Sequence, residues 1–128
     1  MIGYTLVGTN DLERAKGFYD DLFATIGAGR VLEMGEMCAW GVAMDKPMFG
    51  VTRPYDLKDA TIGNGTMIAL VASERPTVDA LYARALELGG SCEGGPGVRG
   101  DEGEQAFYAA YFRDLDGNKL CAFRVGPA

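Results

Sequence analysis

The sequence predicts an α+β fold in which paired βαβββ modules form a cup-shaped antiparallel sheet. Strand-type and helix-type hydrophobic periodicities alternate along the chain. The order of one strand, one helix, a glycine stop and three strands occurs twice, with the second copy 63 residues after the first. At this offset Tyr4 aligns with Met67, and Gly27 with Gly90. Each copy is too small to enclose a core of its own, so the two copies are expected to pack together.

The first module begins with a buried strand over residues 2–8. Asn10 or Asp11 is expected to cap a helix that Gly27 ends. The apolar stripe of this helix consists of Leu12, Ala15, Phe18, Tyr19, Leu22, Phe23 and Ile26. Three strands are predicted after it, near residues 30–35, 38–43 and 48–53.

A polar connector over residues 54–65 separates this module from the second. A strand over 66–72 then leads to Ser73, a predicted helix cap, and Gly89 with Gly90 ends the helix. Short strands are predicted near 91–94, 106–113 and 119–125, with Asp116-Gly117 as a hairpin turn between the last two. We therefore predict a single domain over residues 1–128, with module 1 over 1–55, a linker over 56–65 and module 2 over 66–126.

Composition excludes several classes of function. The chain of 128 residues contains no histidine, which removes Ser-His-Asp catalysis and every histidine-containing metal site. A net charge of −6 provides no electrostatic basis for binding nucleic acid or an anionic membrane. Cys38, Cys92 and Cys121 form no CxxC motif, and the N-terminus shows no secretory signal. We therefore expect reduced thiols in a cytoplasmic protein.

Three segments carry a family resemblance. Residues 7–19 read VGTNDLERAKGFY, residues 108–120 read YAAYFRDLDGNKL, and residues 78–90 form the second predicted helix with its glycine stop. In this order on a βαβββ repeat, the segments resemble the vicinal oxygen chelate superfamily of glyoxalase, bleomycin-resistance and extradiol dioxygenase proteins. The resemblance covers nearly the whole chain and implies a small-molecule cavity inside the cup.

The resemblance also locates the family's metal positions. In metal-bearing members, a His or Gln from the first strand of each module and a Glu from the last strand hold a divalent ion. The matching positions here are Tyr4, Met67 and Cys121, with a fourth near Phe49 or Val51. None of them is His, Glu or Gln, so we expect no metal and no cofactor.

The candidate ligand-pocket residues are Tyr4, Trp40, Phe49, Met67, Arg99, Tyr108 and Cys121. Tyr4 and Met67 fall on the cup floor by analogy with the family, and plain packing explains them equally well. Trp40 offers a flat ring and a donor N–H. Cys121 is interpreted as a small apolar residue, because no histidine is present to activate its thiol.

The glycine-rich segment 94–103 surrounds Arg99. It is interpreted either as a solvated hairpin loop or as a mobile lid in which Arg99 binds a carboxylate or phosphate. Arg113 is expected to brace the following hairpin turn with Asp114 or Asp116.

These observations lead to a main functional hypothesis and two alternatives. The main hypothesis is a metal-free homodimer that binds a small organic molecule in the cup. One alternative is a lyase or isomerase acting on a small carbonyl compound. It would use either a metal held by an unexpected set of ligands or Tyr4 and a carboxylate as acid and base. The candidate carboxylates are Glu33, Glu36, Glu93 and Glu104. The other alternative is an interaction module with a collapsed cup.

Overall fold

The computed structural model describes residues 1–128 and contains two helices and eight strands. The first module comprises β1 (Tyr4–Gly8), α1 (Leu12–Ala24), β2 (Gly29–Met34), β3 (Met37–Gly41) and β4 (Met48–Thr52). The second comprises β5 (Ile68–Val71), α2 (Arg75–Glu87), β6 (Ser91–Arg99), β7 (Phe107–Arg113) and β8 (Lys119–Val125). This order confirms the repeated βαβββ pattern. Neither helix is long and apolar enough to cross a membrane.

The strands form two open four-stranded sheets, which confirms the α+β fold. Sheet A has the order β1-β4-β3-β2, and sheet B has the equivalent order β5-β8-β7-β6. The prediction of an antiparallel sheet is wrong for one pair of strands in each module. β1 pairs parallel with β4, and β5 pairs parallel with β8. The helix returns the chain, so that the second strand of each module runs in the same direction as the first. Two antiparallel pairings then give the last strand that direction as well. The first strand of each module is therefore an edge strand.

The two helices begin differently. Asp11 is the N-cap of α1, and its carboxylate accepts a hydrogen bond from the backbone N–H of Arg14 at 3.1 Å. The prediction that Ser73 caps α2 is wrong, because Glu74 is the N-cap. The side chain of Glu74 makes no capping hydrogen bond. Pro76 lies in the first turn of α2, and because proline has no N–H, fewer backbone donors there need a partner.

A single core of 18 buried residues joins the modules. The buried stripe of α1 packs on sheet A, the stripe of α2 packs on sheet B, and the two helices also contact each other. In module 1 this core is aromatic, since Tyr19 lies 5.5 Å from Trp40 and 4.8 Å from Phe49, centroid to centroid. Each such ring contributes about 1.5–3 kcal/mol through burial.

The β7–β8 turn connects module 2 to module 1. Tyr19 donates a hydrogen bond from its hydroxyl to buried Asp114, and the Asn118 amide donates to the carbonyl of Gly8 at 2.8 Å. The prediction that Arg113 pairs with Asp114 or Asp116 is wrong. Its Nε donates to Glu93 at 2.6 Å and its Nη1 donates to the Gly117 carbonyl at 2.9 Å, so it braces the turn through the backbone.

The glycine-rich segment also differs from the prediction. Residues 94–99 belong to β6, which continues to Arg99 and pairs antiparallel with β7 through two register shifts. Glycine has a low strand propensity, so the sequence indicates a loop. Its backbone N–H and C=O groups nevertheless pair with β7, and the lid interpretation does not hold for these residues.

Candidate ligand-binding cleft

A cleft of about 740 Å³ lies where the two edge strands, β1 and β5, approach the end of α1. Residues of the β3–β4 connection complete its wall. Of the 17 residues that line it, 13 are hydrophobic. A concave, mostly apolar site of this volume is typical of small-molecule binding sites.

The deep wall of the cleft belongs to the aromatic core of module 1. Trp40 and Phe49 line it from sheet A, and Phe23 lines it from α1. The Trp40 indole is almost fully buried and donates its N–H to Asp20 at 2.9 Å. The predicted free donor of Trp40 is therefore occupied, and the indole presents only apolar surface to the cleft.

Asp20 is itself held by Arg30, which donates through Nε at 2.9 Å and through Nη2 at 2.8 Å. These bonds from Arg30, together with the one from Trp40, hold the pKa of the Asp20 carboxyl below its ordinary value. Asp20 therefore joins Arg30 to Trp40 and holds the indole N–H on the side away from the cleft.

Only two polar side chains line the cleft, Thr5 from β1 and Lys46 from the β3–β4 connection. Sequence reasoning missed both. A usable signal for Lys46 was present, because Asp45-Lys46-Pro47 reads as a turn and a turn between strands places side chains at a sheet end. No carboxylate lines the cleft, including the four proposed as general bases.

The sequence matches the family model for the Glyoxalase/Bleomycin resistance protein/Dioxygenase superfamily over residues 1–122. The chain belongs to this superfamily.

Solved structures of the superfamily agree with the fold. A glyoxalase/bleomycin resistance protein from Albidiferax ferrireducens T118 is 37% identical, with a TM-score of 0.86 over 97% of this chain and 98% of its own. A lactoylglutathione lyase from Agrobacterium tumefaciens is 21% identical, with a TM-score of 0.66 over 97% of this chain and 92% of its own, and this likeness shows the fold alone. No curated protein matches the sequence.

Three of the seven predicted pocket residues line the cleft of this superfamily member: Trp40, Phe49 and Met67. Tyr4 lies on β1, where alternation turns it to the face of sheet A away from α1, and it is exposed. Tyr108 lies on the α2 side of sheet B, and its hydroxyl donates to Asp79 at 2.6 Å.

Arg99 and Cys121 lie together on the face of sheet B that is turned away from α2, which we call the outer face of sheet B. The Arg99 guanidinium lies 5.4 Å from the ring centroid of Tyr111, which pairs with Cys121 across the strands. Burial raises the pKa of the Cys121 thiol, so the thiol is protonated at neutral pH and is a poor nucleophile.

The residues at the family's metal positions do not fit a divalent ion. Phe49 and Val51 are buried towards α1, so neither shares a face with Tyr4. The phenol, thioether and thiol of Tyr4, Met67 and Cys121 are a poor donor set for a hard ion or for zinc. No group of three His, Cys, Asp or Glu side chains elsewhere could hold a metal.

Proposed function

We propose that this superfamily member binds a small, largely apolar organic molecule in the cleft between β1, β5 and the end of α1, and that it does so without a metal. The observation that carries the proposal is the cleft itself, whose volume of about 740 Å³ accommodates a ligand of drug size and whose wall is mostly hydrophobic. Burial of apolar ligand surface supplies the binding free energy.

The small number of polar side chains in the cleft limits how many polar groups a ligand can place there. Thr5 provides one hydroxyl, and Lys46 provides one ammonium group at the mouth formed by the β3–β4 connection. We expect the ligand to place a single polar or anionic group near them and its apolar body against Trp40, Phe49 and Ile68.

The lyase or isomerase alternative requires an acid and a base beside the substrate. Tyr4 and the candidate carboxylates lie outside the cleft, and Glu93 is held by Arg113 at 2.6 Å. These positions support binding over catalysis. Metal analysis of protein purified without chelators distinguishes the two, because one equivalent of a divalent metal retained through dialysis would contradict the metal-free proposal.

Nile red, a neutral dye that fluoresces in apolar surroundings, tests the cleft directly. We expect saturable binding at one site, weakened at least about tenfold in Ala28→Phe, which fills the cleft. Ala24→Phe is the matched control, since Ala24 is exposed at the end of α1 and does not line the cleft. Binding that is absent, or equal in both variants with unchanged melting temperatures, would overturn the proposal.

We also propose a homodimer formed through the two edge strands. Both strands expose apolar side chains on the face away from the helices, including Tyr4 and Leu6 on β1 and Val71 on β5. Unpaired strand edges with exposed apolar side chains are typical protein contacts. We expect sedimentation to give twice the monomer mass for the wild type and the monomer mass for Leu6→Lys, while Tyr55→Lys, at an exposed position outside the strands, stays dimeric.

A further inference from the structure

The cleft between β1, β5 and the end of α1 contains a single charge. Lys46 is the only ionisable residue among the 17 that line it, and Thr5 supplies the only hydroxyl. The remaining lining residues are hydrophobic, glycine or proline. A cationic ligand would therefore meet one like charge and no carboxylate, whereas an anionic ligand would meet one opposite charge.

Backbone hydrogen bonds on both sides of Lys46 determine its position. Its own N–H donates to the carbonyl of Ala43 at 3.2 Å, within the β3–β4 connection. Pro47 follows with a fixed φ, and the N–H of Met48 donates to the carbonyl of Gly3 at 3.0 Å. These bonds join the connection to the start of β1. Lys46 is thus held at the rim of the cleft, where it is exposed to solvent.

No carboxylate of the chain neutralises Lys46. It takes part in none of the ion pairs. Asp45, the acidic residue next to it in the sequence, is exposed and forms no ion pair. Asp20, which accepts the N–H of Trp40, is paired with Arg30 at 2.8 Å. The ammonium group of Lys46 is therefore available to an anion from solution.

The buried wall of the cleft offers no partner for a charge. Phe23, Trp40 and Phe49 are each more than nine-tenths buried, and the N–H of Trp40 is occupied by Asp20. A charged group placed against these rings would lose its hydration without gaining a hydrogen bond, which is costly. An apolar group placed there gains free energy by leaving water. The two parts of the cleft thus favour a ligand with its charge at Lys46 and its apolar body against the rings.

We propose that the cleft selects organic monocarboxylates with an apolar body, such as fatty or arylalkyl acids, and that Lys46 is its specificity-determining residue. The inference rests on the function proposed above and names the class of ligand. Because the chain has a net charge of −6, an anion is attracted only where a cation lies nearby. One ammonium group balances the single charge of a carboxylate.

Three probes that share one alkyl chain and differ in the head group test the selectivity: decanoate, decanol and decylamine, each below its micellar concentration. Binding is followed by the fluorescence of Trp40, which is the only tryptophan in the chain and lines the cleft. The measured quantity is the ratio of the Kd for decanol to the Kd for decanoate. Because decanol leaves water more readily than decanoate, the ratio is compared between variants.

Variants of Lys46 then test its role. Lys46→Met removes the charge and keeps an apolar side chain, and the ratio should fall about fivefold or more. Lys46→Arg keeps the charge, and the ratio should stay within about twofold of the wild type. Lys58→Met is the matched control, because it removes the same charge from an exposed residue that forms no ion pair and does not line the cleft, and it should leave the ratio unchanged.

Ionic strength provides an independent measurement. Added salt should lower the ratio in the wild type and leave it constant in Lys46→Met, because only the wild type has the charge to be screened. An unchanged ratio in Lys46→Met, or equal weakening of all three probes, would overturn the assignment of Lys46 while decanol and Nile red still bind in the cleft. Absence of saturable decanol and Nile red binding in the wild type would instead overturn the function proposed above, and this inference with it.

Discussion

The two modules share one topology but divide their aromatic side chains differently between the two faces of the sheet. In module 1, Tyr19, Phe23, Trp40 and Phe49 meet between α1 and sheet A. In module 2, the α2 side of sheet B is built mainly from alanine, valine and leucine, with Phe112 as its one fully buried ring. The rings of Phe107, Tyr111 and Phe123 instead lie on the outer face.

This difference shows that the internal repeat specifies backbone topology and does not specify where a site lies. Three buried rings of module 1, Phe23, Trp40 and Phe49, line the apolar cleft. The half-buried rings of module 2 lie on the outer face of sheet B, where Arg99 and Lys119 both lie beside the ring of Tyr111.

The largest expected effect on stability comes from removing an aromatic ring, and one ring from each module is compared. Phe49→Ala removes a buried ring that packs against Tyr19 and Phe23, so we expect the free energy of unfolding to fall by about 3–5 kcal/mol. Phe123→Ala removes a half-buried ring on the outer face, and a loss of about 1 kcal/mol is expected. Urea denaturation followed by circular dichroism measures both. Equal losses would mean that the outer face of sheet B is as well packed as the core.

A smaller effect is expected at the contact between the modules. Tyr19→Phe removes the hydroxyl that donates to Asp114 and leaves that buried carboxylate one donor short, so we expect a loss of about 1.5–3 kcal/mol. Tyr108→Phe is the matched control, because its hydroxyl bonds to Asp79 at an exposed site, and a loss of about 0.5 kcal/mol is expected. Urea denaturation of the two variants compares them, and an equal effect would contradict the importance of this contact.

The environment of Tyr19 also predicts that the stability of the fold decreases at alkaline pH. Burial, with the nearby Asp114 carboxylate, raises the pKa of the Tyr19 phenol well above its ordinary value of 10.0. Below that value the phenol is neutral in both states. At higher pH it ionises in the unfolded chain first, so the wild type should lose stability above about pH 10. Tyr19→Phe should lose less over the same range. Parallel pH profiles of the urea midpoint would contradict this cause.

The smallest effect concerns Asp20, which holds Trp40 in module 1. Its pKa is lowered chiefly by the bonds from Arg30, so its stabilising contribution is present above the ordinary value of 3.8 and is lost as pH falls below it. Because Asp20 is partly exposed, we expect a decrease of less than about 1 kcal/mol. The urea midpoint of Asp20→Asn should depend less on acid pH than that of the exposed control variant Asp45→Asn. Identical profiles would contradict the prediction.

Local sequence determined most of the elements of this protein. The apolar stripe of α1, its cap at one of the two expected residues and the Asp116-Gly117 turn were predicted correctly, because periodicity, capping and turn chemistry act over a few residues. The repeat of 63 residues predicted the two sheets, and the quoted motifs predicted the superfamily.

The tertiary structure alone decided how the candidate site residues are grouped. Trp40, Phe49 and Met67 line one cleft, Arg99 and Cys121 lie on the outer face of sheet B, and Lys46 enters the cleft from a turn. A strand pattern shows that neighbouring residues face opposite ways, but not which face meets a helix. Backbone pairing with β7 also made a strand of residues 94–99, because hydrogen bonds between distant segments outweigh the low strand propensity of glycine.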